Sequence, residues 1–160
     1  MKIEHVAIWV KDIDKVCEFY RKYLGGVVHP LYHNPAKQFT SRFITFDDGA
    51  RLEVMHRPDI CVERNVGTVE MFHVKPLQGE CSDHTCMGIA EPKEVGHEVS
   101  QHLGITHLSF SVGSKEEVDR LTQQMSSEGT PIVGQPRTTG DGYYESVVLD
   151  PEGNRIEITI

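Results

Sequence analysis

The feature that most constrains this chain is an internal repeat. Residues 3–10, Ile-Glu-His-Val-Ala-Ile-Trp-Val, return as residues 105–112, Ile-Thr-His-Leu-Ser-Phe-Ser-Val. Each half then ends on Gly-x-Arg-(Leu/Ile)-Glu, at residues 49–53 and 153–157. The repeat predicts two modules of the same local structure. They are expected to share one core, because a module of ~50–60 residues buries too little surface to be stable alone.

Hydrophobic periodicity gives the same order of elements in both halves. Alternating β-forming residues predict strands, and apolar residues at helical spacing predict one helix after Asp12 and one after Ser114. The predicted strands cover residues 3–10, 27–33, 39–46 and 51–56, and then 105–112, 130–135, 143–149 and 155–160. Each half therefore reads β-α-β-β-β, which predicts an α+β fold of two paired βαβββ modules.

A stretch without a clear period, residues 57–104, separates module 1 (residues 1–56) from module 2 (residues 105–160) of a single domain, residues 1–160. Its Cys81-x-x-His84-x-Cys86 sequence suggests part of a second zinc site, with Cys61, His73 or His97 as a further ligand. That spacing matches no standard zinc module. A lid or a dimerisation element is therefore the favoured interpretation of this insert.

Composition excludes several partners. The net charge is −8, from 16 basic and 24 acidic residues, and no basic cluster is visible. We therefore expect neither nucleic acid nor a membrane surface as a partner. No apolar run reaches the ~18 residues of a membrane span, the first residues do not resemble a signal peptide, and the four cysteines show no secreted disulfide framework. These features predict a cytoplasmic protein.

The repeat also places histidine and glutamate residues at matched positions. His5 and Glu53 in the first half correspond to His107 and Glu157 in the second. Imidazole and carboxylate groups together suit a divalent metal. A lone His or Glu in a strand is usually a half-buried or solvated residue. Four of them at equivalent positions indicate a metal site, provided that the modules pair with approximate two-fold symmetry.

Five motifs carry a resemblance to a known superfamily. They are Glu-His-Val-Ala-Ile (4–8), Phe-Tyr-x-x-Tyr-Leu-Gly-Gly (19–26), Arg-Leu-Glu (51–53), Thr-His-Leu-Ser-Phe-Ser-Val (106–112) and Asp-Pro-Glu-Gly-Asn-Arg-Ile-Glu (150–157). On these motifs the chain resembles the vicinal oxygen chelate superfamily, whose archetype is glyoxalase I. The resemblance covers both modules and not the insert. It implies paired βαβββ modules that form an open curved sheet around a metal.

The resemblance also implies a ligand set and a reaction. By position, the glyoxalase I ligands correspond to His5, Glu53, His107 and Glu157. The implied cofactor is one divalent ion, Zn, Ni, Co, Mn or Fe. The implied activity is that of a lactoylglutathione lyase, with proton transfer next to a carbonyl through a metal-bound enediolate. Glu157 would be the general base, and Glu53 would hold the metal or take the opposite proton-transfer role.

One departure bears on the substrate. Trp9 stands where glyoxalase I commonly carries an arginine that binds a glutathione carboxylate. Arg42, Arg51 and Arg137 are candidates to replace that arginine. Trp9 would instead line an apolar or aromatic pocket, or simply take part in core or dimer packing. Tyr143 would contact substrate if the loop before it closes, and otherwise belongs to a solvated hairpin.

Two other functions stay open at this point. The first is an Fe(II) oxidoreductase of the extradiol dioxygenase type, which typically needs only two His and one Glu. The second is a non-catalytic small-molecule or drug-binding member of the superfamily, which usually lacks the metal ligands. Glu53 and the complete quartet favour the glyoxalase type. A homodimer is expected, with the modules paired within one chain or exchanged between two.

Overall fold

The structure is a computed structural model, and it describes residues 1–60 and 104–160. The cysteines and histidines of the suggested second zinc site lie outside the described residues. Both modules fall within one compact unit of the chain. In the part that is described, no helix is long and apolar enough to cross a membrane.

Module 1 forms a mixed sheet with one helix on its inner side. Its elements are β1 (His5–Trp9), α1 (Ile13–Leu24), β2 (Val27–Val28), β3 (Tyr32–Asn34), β4 (Phe39–Thr45) and β5 (Arg51–His56). The sheet order is β1-β5-β4-β2, with β3 also on β4, and β1 runs parallel to β5. The predicted strand at residues 27–33 is two short strands, and Pro30, which has no backbone N–H, lies between them.

Module 2 repeats this arrangement. Its elements are β6 (Leu108–Ser111), α2 (Lys115–Ser127), β7 (Ile132–Thr138), β8 (Tyr144–Leu149) and β9 (Arg155–Thr159), in the sheet order β6-β9-β8-β7. The predicted α+β class and the βαβββ order are confirmed. Two boundaries differ from the prediction. β6 begins at Leu108, so His107 lies just before it and not within a strand over residues 105–112, and β7 continues to Thr138 through two irregularities in its pairing with β8. Arg137, which lies beyond the strand predicted over residues 130–135, is therefore part of β7.

The helix ends follow from their local sequence. Asp12 accepts a hydrogen bond from the Lys15 amide at 3.0 Å and begins α1, and Gly25 ends it in the left-handed conformation, φ +66°. Ser114 accepts from the Glu117 amide at 3.2 Å and begins α2. These caps confirm the helix starts that the sequence predicts.

The two modules share one apolar core, built from the helices and from the inward faces of both sheets. The Phe110 ring of module 2 lies 5.0 Å from the Phe46 ring of module 1. Tyr20 donates a hydrogen bond to the buried carboxylate of Asp150 at 3.3 Å. Glu152 accepts from the Asp12 amide at 3.0 Å, so module 2 helps to cap the helix of module 1.

The shared core determines where the outer faces lie. Successive residues of a strand point to opposite sides, so the residues between the core positions of each sheet point outward. We call these surfaces the outer face of module 1, which carries Glu53, and the outer face of module 2, which carries Glu157. Within the described residues, β1 and β6 are the edge strands beside these two glutamates.

Candidate metal centre

The first half of the candidate site lies on the outer face of module 1. His5 begins β1, and Glu53 lies on the neighbouring strand β5. The His5 Nε2 atom is 3.8 Å from Glu53 Oε2. On the other side of the ring, His5 Nδ1 is 2.5 Å from Glu4 Oε2. Glu4 therefore holds the imidazole at Nδ1, and Nε2 faces the carboxylate of Glu53.

Two further side chains, Arg51 and Phe43, contact Glu4 and His5. The Arg51 guanidinium contacts Glu4 Oε1 at 2.5 Å and lies 4.1 Å from the centre of the Phe43 ring. The His5 ring lies perpendicular to the same ring, with 5.5 Å between ring centroids. The hydrogen bond with His5, together with Arg51, holds the pKa of the Glu4 carboxyl below its usual value. Glu4 is thus an anion that bridges an imidazole and a guanidinium.

The second half lies on the outer face of module 2. His107 Nε2 is 3.5 Å from Glu157 Oε2. His107 Nδ1 is 3.1 Å from the hydroxyl of Thr106, which takes the place of Glu4. Ser109, at the position of Ala7, donates a hydrogen bond to Glu157 Oε1 at 2.6 Å. The repeat therefore reproduces the His–Glu pair but changes its neighbours.

Sequence reasoning missed a further acidic residue beside Glu157. Glu145 on β8 is only 9% exposed, and Arg137 donates to its Oε1 at 3.1 Å. Burial raises the pKa of Glu145, and the neighbouring charge and hydrogen bond of Glu157 raise it further. Two of the candidate site residues, Arg137 and Glu157, thus meet through a residue that was not predicted. The two-residue alternation of β8 was the available signal, since Val147 pairs with Glu157 and Glu145 shares its face.

Within the described ranges, the structure joins His5 to Glu53 and His107 to Glu157, but it shows no group of three or more potential ligands. The reason is the shared core, which turns the two outer faces away from it. One chain alone does not bring the two pairs together. The four-ligand site therefore stays a prediction.

Each pair nonetheless suits a divalent ion. A nitrogen and an oxygen bound to one metal at ~2.1 Å lie roughly 3.0–3.5 Å apart. The Nε2–Oε2 distances of 3.8 Å and 3.5 Å are close to that spacing. Together the pairs would supply two imidazole nitrogens and two carboxylate oxygens, a donor set that suits Zn, Ni, Co, Mn or Fe.

Two of the proposed substrate contacts lie on the outer face of module 1. Trp9 shares this face with His5 and is 42% exposed. Its ring meets Phe39 edge-on at 6.2 Å, and the Arg57 guanidinium lies 5.5 Å from the ring centre. Arg51, the second of these contacts, lies beside His5 as described above. The aromatic side chain that replaces the expected arginine is therefore accessible on the face that also carries His5 and Glu53.

Two other proposed contacts are placed elsewhere. Arg42 points to the helix side of the sheet, where it lies 3.4 Å from Asp14 of α1, because its neighbour Phe43 occupies the outer face. The structure thus does not bring Arg42 to the candidate site. Tyr143 lies in the turn between β7 and β8, where its backbone oxygen accepts from the Thr139 amide at 2.8 Å, and it is 55% exposed.

Comparison with known proteins identifies the family. The model of the Glyoxalase/Bleomycin resistance protein/Dioxygenase superfamily matches residues 2–158. The chain belongs to this superfamily. It is also 29% identical over 82 residues to the uncharacterized protein YqjT of Bacillus subtilis, a stretch that covers 48% of this chain and 64% of that protein.

Solved structures share the fold at low sequence identity. Glyoxalase I from Zea mays superposes with a TM-score of 0.62 at 15% identity, over 99% of this chain but only 44% of the maize chain. The trypanothione-dependent glyoxalase I of Leishmania major gives 0.61 at 18% identity, covering 99% of this chain and 86% of that one. A glyoxalase family protein from Enterococcus faecalis gives 0.63 at 21% identity, covering 99% and 97%. These likenesses establish the fold.

Proposed function

We propose that this protein is a metal-dependent lyase or isomerase of glyoxalase type, which transfers a proton next to a carbonyl group. The observation that carries the proposal is the pair of repeat-equivalent His–Glu contacts, His5 with Glu53 and His107 with Glu157. Two such pairs supply the ligand set that glyoxalase chemistry needs. Membership of the superfamily supports the same reaction class.

The complete site would form between two copies of the chain. Each pair lies on an outer face next to an edge strand, β1 or β6. In a two-fold symmetric dimer, β1 of one chain would lie beside β6 of the other, and the same contact would occur twice. Each dimer would then hold two sites, each with His5 and Glu53 from one chain and His107 and Glu157 from its partner.

The metal would be held by these four side chains, and it would polarise the substrate oxygens and so acidify the neighbouring carbon. Glu157 is the proposed general base. Ser109 holds one of its oxygens, and Glu145 lies beside it, so the carboxylate is oriented by hydrogen bonds on its own face. Glu53 would hold the metal or return the proton on the opposite side.

The surroundings of the site favour a substrate with a flat apolar group. Trp9 and Phe39 form an accessible aromatic surface on the face of His5. Trp9 offers no charge for a glutathione carboxylate. Arg137 on the other module pairs with Glu145 but is 55% exposed, and it would bind an anionic end with its remaining N–H groups. We therefore propose hemithioacetals of aromatic 2-oxoaldehydes as the first substrates to assay.

The test begins with metal content. Wild-type protein and a His5→Ala/Glu157→Ala double variant are purified side by side, and bound metal is measured by mass spectrometry together with molar mass in solution. About one divalent ion per chain in a wild-type dimer, lost in the double variant, is the expected result. Isomerisation of hemithioacetals would then support the proposal, whereas iron with oxygen consumption would favour the dioxygenase type. Absence of metal from both proteins, even after reconstitution, would contradict an enzymatic function.

A further inference from the structure

We propose that Glu4 is a positioning residue: held by Arg51 and Phe43, it fixes the His5 imidazole with Nε2 free for a metal, and this makes module 1 the tighter half of the site. The inference rests on the proposed function, because it assumes that His5 is a ligand. It goes further by assigning different tasks to the two halves of the repeat.

The contact between Glu4 and His5 determines which nitrogen carries the hydrogen. An ionised carboxylate only accepts hydrogen bonds. With Glu4 Oε2 at 2.5 Å, Nδ1 of His5 must be the donor. The lone pair of the neutral ring then lies on Nε2, which faces Glu53. A carboxylate behind a histidine also raises its strength as a metal ligand.

Arg51 and Phe43 explain why Glu4 keeps this position. Glu4 precedes β1 and is exposed, so its side chain alone would sample several rotamers. The Arg51 amide donates to the Glu4 carbonyl at 3.0 Å, and its guanidinium contacts the other carboxylate oxygen at 2.5 Å. That guanidinium lies over the Phe43 ring, 4.1 Å from its centre, and the same ring packs perpendicular to the His5 ring. Three side chains therefore restrain one imidazole.

Module 2 lacks this support. Thr106 replaces Glu4. Because a hydroxyl can either donate or accept, Thr106 does not determine which ring nitrogen of His107 carries the hydrogen. Val147 pairs with Glu157 in the place where Phe43 pairs with Glu53, so the aromatic platform is missing too. The imidazole is thus restrained in module 1 and left adjustable in module 2.

The first test reads the imidazole without any metal. Long-range ¹H–¹⁵N spectra of the metal-free protein, recorded at about pH 8 where histidine is neutral, should show His5 with the hydrogen on Nδ1. In Glu4→Gln, whose amide either accepts or donates, the ¹⁵N shifts of His5 should move toward a mixture of both forms. The matched variant Thr106→Val should leave His5 unchanged. A wild-type His5 with the hydrogen on Nε2 would overturn the inference.

The second test measures metal affinity with Co²⁺ in competition with a chelator. Loss of an outer hydrogen-bond partner typically costs 10–100-fold. We expect Glu4→Gln to bind Co²⁺ roughly tenfold or more weakly, Arg51→Met to fall between it and wild type, and Thr106→Val to stay within about threefold. Equal losses in Glu4→Gln and Thr106→Val, or tight wild-type binding that Glu4→Gln leaves unchanged, would overturn this inference alone. A wild type that binds no Co²⁺ would overturn the proposed function as well.

Discussion

The two modules carry the same His–Glu pair in different surroundings. On the outer face of module 1, Glu53 lies across from Phe43, and Ala7 and Ser41 occupy the neighbouring positions. On the outer face of module 2, the positions of Ala7 and Ser41 are taken by Ser109 and Glu145, which both interact with Glu157.

This difference suggests how a duplicated site divides its work. In module 1 the supporting contacts are made to the histidine, through Glu4. In module 2 they are made to the carboxylate, through Ser109 and Glu145. A ligand that holds a metal benefits from a fixed imidazole, whereas a base benefits from an oriented carboxylate. The comparison therefore favours Glu157 over Glu53 as the general base.

The largest expected effect tests this assignment directly. Because general-base catalysis typically contributes roughly 10²–10⁴-fold, Glu157→Gln should lower kcat by that factor in a hemithioacetal assay with excess metal. The matched variant Glu53→Gln should lower metal affinity more than it lowers kcat. Steady-state kinetics of both variants measure the loss in kcat, and Co²⁺ titration measures the loss in metal affinity. The reverse pattern would exchange the roles of the two glutamates.

A smaller effect is expected from the hydrogen bond that distinguishes the two glutamates. A hydrogen bond to a charged group contributes ~1.5–3 kcal/mol, and only the part of it that is specific to the transition state changes kcat. Because Ser109 orients the base, Ser109→Ala should reduce kcat by roughly tenfold at most, with KM nearly unchanged. Ala7→Ser, at the equivalent position of module 1, serves as the control and should not increase kcat. Full activity in Ser109→Ala would show that the oriented carboxylate is not needed.

The aromatic surface provides the next comparison. Trp9 is the only tryptophan of the chain, so its fluorescence reports on this surface without labelling. An aromatic pair contributes ~0.5–1.5 kcal/mol, and Trp9→Ala should raise KM for an aromatic hemithioacetal roughly fivefold. Ser111→Ala, at the equivalent position of module 2, should change KM little. If the substrate does not quench the fluorescence of Trp9, and if Trp9→Ala leaves its KM unchanged, the aromatic substrate class is wrong.

The smallest effect concerns stability. Removal of an N-terminal cap costs ~0.5–2 kcal/mol. Glu152→Ala removes the acceptor that module 2 offers to the start of α1, and we expect the free energy of unfolding to fall by about 1 kcal/mol in urea denaturation. Ser114→Ala removes the local cap of α2 and should cost a similar amount. A loss in Ser114→Ala alone would show that the contact between the modules is not stabilising.

Local signals in the sequence predicted the helices and strands. Asp12, Ser114 and Gly25 mark helix ends through short-range hydrogen bonds and backbone conformation, so single residues suffice to predict them. The repeat predicted that His5 and Glu53 would converge with His107 and Glu157. The structure places the members of each pair together but, in the described residues, does not join the two pairs.

The supporting residues were harder to predict, since they depend on which strands are neighbours. Arg51 reaches Glu4 only because β1 and β5 run side by side, and Glu145 meets Glu157 only through the register of β8 on β9. Arg42 depends on the same information. Only the register of β4 on β5 shows that Phe43 lies across from Glu53 and that Arg42 lies on the opposite face.

The outward orientation of the two half-sites has a genetic consequence. If each centre combines module 1 of one chain with module 2 of its partner, a His5→Ala allele and a Glu157→Ala allele would each be inactive alone. Expressed together, they would form mixed dimers in which one centre carries both lesions and the other carries none. Two defective genes would then complement each other, and the recovered activity would be proportional to the amount of mixed dimer in the cell.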